Sequence, residues 1–117
     1  MREFESGATR NDDTEQFEYS GFLSPVVLQE FASYMHKHRV QANGDIRSSR
    51  NWRKGIPKEA YEESLLRHVM DTWLHLDGWE VRAREDLISA LCGILFNTQG
   101  LLHEILVEQG LGRGRVE

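Results

Sequence analysis

The sequence predicts an all-α fold, a small helical bundle of three main helices completed by oligomerisation. Apolar residues recur at helical spacing in three stretches, about 25 to 39, 57 to 77 and 82 to 109. No stretch of useful length alternates as a half-buried strand would. The third stretch is apolar on more flanks than two partner helices from one short chain can cover.

Taken in order, Ser24-Pro25 reads as a helix start, with serine at the cap and proline at the first helical position. Val27, Leu28, Phe31, Tyr34 and Met35 then make one apolar face, and His36, Lys37, His38 and Arg39 suit the negative end of the helix dipole. Residues 41 to 55 form a loop marked by Asn43-Gly44-Asp45, Ser48-Ser49 and Gly55. Pro57 opens the second helix, whose stripe is Tyr61, Leu65, Val69, Trp73 and Leu76, and Gly78 ends it. The third helix carries Leu87, Leu91, Ile94, Thr98, Leu101 and Ile105, with Ile88, Leu95 and Leu102 on an adjacent flank. Gly93 and Gly100 lie seven apart on one side of it. Glycine costs about 1 kcal/mol against alanine in a helix interior, so both are expected to admit a close neighbour. Residues 1 to 20 read as a flexible acidic arm, 21 to 109 as a single all-α domain, and 110 to 117 as a flexible tail.

Bulk composition narrows the function. Formal net charge is −5, and the 14 basic residues are scattered, which argues against general nucleic-acid binding but leaves room for a local phosphate pocket. The single cysteine, Cys92, excludes an intrachain disulfide and points to a reducing, cytoplasmic setting. No uninterrupted apolar run reaches the ~20 residues of a membrane span, so no membrane partner is expected.

Three polar constellations stand out. On the second helix His68, Asp71 and His75 are three and four apart, so their side chains can converge: a carboxylate-oriented histidine can serve as general base or metal ligand, or the group can be satisfied polar packing. On the third, Asp86, Asn97 and Glu104 share a face with Ser89 and the two glycines. Inward carboxylates on facing helices can hold a divalent metal, and magnesium takes oxygen ligands plus substrate phosphates; equally, Asp86 suits a helix N-terminus and Asn97 an interhelix hydrogen bond. The loop RNWRKGIP offers Arg50, Arg53, Lys54 and Asn51 beside Trp52, which is cations for phosphate and a flat ring for a base, or else a turn with Trp52 in the core.

These segments together (GFLSPVVLQEFASYMHKHR, NWRKGIP, YEESLLRH and DLISALCGILFNTQGLLHE) resemble a family of small, mostly phage-encoded proteins described as a dATP/dGTP diphosphohydrolase domain, related to the all-α MazG-like nucleotide pyrophosphohydrolases. The resemblance spans roughly residues 21 to 106. Its motif positions here are Asn51, Trp52, Lys54, Gly55, Ile56 and Pro57, then Tyr61, Ser64, Arg67 and His68, then Asp86, Asn97, His103 and Glu104. It implies magnesium-dependent hydrolysis of a purine (deoxy)nucleoside triphosphate to monophosphate and pyrophosphate. On that reading Asp86, with Asp71 or Glu104, holds Mg2+; His68 positions or deprotonates water, with Asp71 and Asp86 beside it; and Asn51, Trp52, Lys54, Arg67 and Asn97 bind substrate. The acidic spacings of MazG-like enzymes, Glu-Glu-x-x-Glu and Glu-x-x-Asp, are absent, so a metal site would be built from other residues. The alternative is a protein that sequesters a nucleotide without turnover, and a third possibility is a purely structural role. The expected partners are a purine nucleotide and further copies of the chain, in the cytoplasm, that of a host bacterium if the chain is phage-encoded.

Overall fold

Helix α2 (Pro25–Lys37) begins where Ser24 caps it: the serine oxygen accepts the Val27 N–H at 3.3 Å, and Pro25 occupies the first turn, where its missing N–H costs nothing. The computed structural model describes residues 2–10 and 16–110, so the expected tail from 111 onward lies outside the described residues, as do 1 and 11–15 of the arm. Within the arm, strands β1 (Arg2–Glu3) and β2 (Thr9–Arg10) pair antiparallel, and a one-turn helix α1 (Tyr19–Phe22) precedes α2. Beyond α2, a small hairpin closed by a Val40–Ile46 bridge leads to a 3-10 turn, Asn51–Lys54. Then come α3 (Lys58–Leu76), a second 3-10 turn (Glu80–Arg82) and α4 (Leu87–Glu108). The fold is all-α, with three main helices.

The α3–α4 connection is built by local chemistry. Gly78, at φ +86°, lets the chain reverse after α3: its N–H reaches the His75 carbonyl and the Trp79 N–H reaches that of Leu74 at 2.7 Å, a Schellman ending. The sequence places the next helix from Arg82, but it starts five residues later. Arg84 and Glu85 are bonded to α3 instead of continuing a helix, and Asp86 becomes the cap, accepting from the Ser89 N–H at 3.0 Å and its hydroxyl at 2.7 Å.

α3 and α4 lie together as an antiparallel hairpin with most of the tertiary contact, and α2 rests more lightly on α4. The two interior glycines explain the close seam. A Cβ at Gly100 would strike the ring of Tyr61, which is 1% exposed, and a Cβ at Gly93 would strike the ring of His68. The close neighbours those glycines admit are thus aromatic side chains from α3. The fully buried apolar residues are few: Tyr61, Ala90 and Cys92. With 22 residues and a mean hydropathy of 1.3, α4 is also long and apolar enough to cross a membrane by length and composition alone, a test that the core helix of a bundle passes equally.

Candidate functional site

His68, Asp71 and His75 do converge, but on the loop before α4. Asp71 is buried and accepts the Arg84 backbone N–H at 3.1 Å and the Arg84 guanidinium through Nε at 3.1 Å and Nη2 at 2.8 Å. Burial pushes its carboxyl up; the bonds from the Arg84 side chain and backbone, with that charge, outweigh burial and hold it below its ordinary value of 3.8. His75 Nε2 donates to the Glu85 carbonyl at 2.6 Å. His68 Nδ1 donates to the Glu85 carboxylate. Three α3 side chains therefore grip two consecutive loop residues, and the carboxylate that orients His68 is Glu85, not Asp71. Nothing in the spacing signals Glu85, seventeen residues from His68 and in a non-helical segment.

His68 and Glu85 lie on the wall of a cavity of about 650 Å³ between α2 and the α3–α4 hairpin. Phe31, Tyr34 and Met35 of α2 supply one apolar side, and Trp52, Ile56 and Phe96 supply another. Trp52 meets Phe96 edge-on at 6.4 Å between ring centroids and His103 at 4.9 Å, so it is half-buried in an aromatic cluster while its ring still borders the cavity. Asn97 is buried; its amide donates to the Gly93 carbonyl at 2.7 Å, and its Oδ1 has no partner among the described residues. Asn51, Ser64 and Gln99 add further polar groups. At the rim stand His36 and His38 from the end of α2, then Arg39 and Arg47 from the hairpin.

Of the substrate-binding residues read from the sequence, Asn51, Trp52 and Asn97 line this cavity together with His68. Lys54 and Arg67 do not; both are exposed and outside the lining. Arg39 and Arg47 are the cations present instead. Arg39 was legible only as a helix-terminal charge, and Arg47 carried no signal, because the pairing that joins them belongs to the hairpin.

Of the three expected magnesium ligands, two already have partners and the third stands apart. Asp71 is committed to Arg84, and Asp86 is an exposed helix cap whose carboxyl the Ser89 hydroxyl and amide hold low. Glu104 lies 18 residues further along α4, about 27 Å at the helical rise. It sits beside Tyr61 instead: burial, then the Glu104 charge, raises the Tyr61 phenol, whose buried hydroxyl has no partner among the described residues. Among the described residues no three His, Cys, Asp or Glu side chains are grouped as a metal would require.

Compared with known proteins, the chain matches no family model, no curated protein and no solved structure.

Proposed function

We propose that this chain binds a purine nucleotide in the cavity between α2 and the α3–α4 hairpin, with the base against the aromatic wall and the phosphate end at the basic rim. The supporting observation is the make-up of that one cavity. At about 650 Å³ it lies within the ~300–1,000 Å³ range of small-molecule sites. Aromatic rings take a base by stacking. The amides of Asn97 and Asn51 each carry a donor and an acceptor, which suits the edge of a purine. Basic side chains collect on one side of the cavity, and the acidic residue bordering it, Glu85, is already bonded to His68. Membership of the dATP/dGTP diphosphohydrolase family, carried by NW-x-KGIP and S-x-x-RH, is part of this proposal, as is the cytoplasmic location it implies.

Turnover is the second reading, and the Glu85–His68 pair favours it. With Nδ1 donating to a carboxylate, Nε2 of the neutral ring is left as the acceptor, and it has no partner among the described residues. That is how a histidine is held to take a proton from water. Among the described residues no three metal-ligating side chains are grouped, so no step is assigned to a metal.

Equilibrium dialysis against purine and pyrimidine deoxynucleoside triphosphates, with and without magnesium, followed by chromatography of the recovered nucleotide, separates the readings. Purine nucleotide retained and recovered intact is the expected result. Recovered monophosphate and pyrophosphate would instead establish hydrolysis, and neither retention nor product with any nucleotide would overturn both.

A further inference from the structure

We infer that Arg39 and Arg47 form a polyphosphate subsite, so that the ligand is a purine nucleoside di- or triphosphate rather than a monophosphate or a nucleoside; this rests on the nucleotide reading above. The two residues are partners across the hairpin. The Arg47 N–H donates to the Arg39 carbonyl at 2.9 Å, and Arg39 Nε donates to the Arg47 carbonyl at 2.9 Å. Like charges opposite each other on paired strands repel, yet neither guanidinium has a carboxylate partner among the described residues, in a chain with 19 acidic side chains. Both border the cavity. The Nε bond fixes the plane of the Arg39 guanidinium while leaving its Nη donors unclaimed. One guanidinium fork satisfies one phosphate, so two forks side by side suit two successive phosphates. Ser49, next along the cavity wall, adds a hydroxyl.

Arg47 contributes only backbone to the hairpin, so R47A keeps the fold. Calorimetric titration of dATP, dAMP, deoxyadenosine and inorganic tripolyphosphate into wild type, R47A and R47K tests the subsite. Wild type should bind dATP at least tenfold tighter than dAMP and should bind tripolyphosphate. R47A should weaken both polyanions tenfold or more, leave deoxyadenosine within twofold and keep the wild-type melting temperature, with R47K in between. Equal affinity for dATP and dAMP, or R47A binding tripolyphosphate as wild type does, overturns the subsite. Tripolyphosphate bound through Arg47 while no purine compound binds would sustain the subsite and overturn the nucleotide reading alone.

Discussion

The two sides of the α3–α4 hairpin partner are built on opposite terms. Along the seam, α3 and α4 approach so closely that two glycines are required, and the α3 side chains are matched to the loop before α4: Asp71 with Arg84, His68 with Glu85, His75 with the Glu85 carbonyl. On the α2 side, the same helix α4 meets its neighbour across a cavity of about 650 Å³ whose polar groups are left partly unclaimed. The difference separates structure from recognition. A seam whose groups are consumed by each other can hold a loop in place, whereas a wall with free donors and acceptors can hold a ligand.

The largest effect that would break this contrast is expected at Gly100. Gly100→Ala drives a methyl group into Tyr61, which is enclosed and cannot swing aside, so a loss of about 3 kcal/mol is expected, read as a lower denaturant midpoint at constant slope. A loss below about 1 kcal/mol would mean that the seam is loose.

Arg84→Ala comes next. It leaves the buried Asp71 carboxylate with one backbone N–H and should cost about 2 kcal/mol. Asp71→Asn/Arg84→Ala should recover part of that loss, because no buried charge then remains unpaired. Thermal unfolding of wild type and the two variants measures it.

The same pair sets an acid dependence. The folded chain takes up the Asp71 proton less readily than the unfolded chain, so this contribution is complete above the ordinary carboxylate value of 3.8 and is lost as pH falls through the lower folded value. Denaturant unfolding followed downward from pH 5 should show wild type losing stability faster than Asp71→Asn. Parallel curves would remove Asp71 from the balance.

The smallest effect is expected at Lys54 and Arg67. Both are exposed and away from the cavity, so alanine at either should change stability by less than ~0.5 kcal/mol and leave nucleotide affinity unchanged in the same titrations that show a loss for R47A. A clear loss of affinity at Lys54 would move the phosphate end from the hairpin to the 3-10 turn.

Much of this was open to reading in the chain itself. The three helices follow from spacing that repeats every three or four residues, and the starts of the first two follow from Ser24-Pro25 and Pro57. Gly93 and Gly100, seven apart in an apolar helix, announced a close neighbour before its identity was known. The polar stripe of α3 was equally visible, because residues three and four apart share a helix face whatever that face meets.

What each face meets was decided only by the tertiary structure. Asp71 is a few residues from His68 in sequence and looked like its partner, but the Schellman turn at Gly78 brings Arg84 and Glu85 back across α3 and hands one to each. Arg39 and Arg47 are joined through a hairpin whose register no periodicity reveals, while Lys54 and Arg67, the more suggestive cations in a linear reading, are turned to solvent. Helical periodicity is a property of the chain within a few turns. The meeting of groups from separate segments depends on where turns send the chain, and that is determined by hydrogen bonds and packing that exist only once the helices have docked.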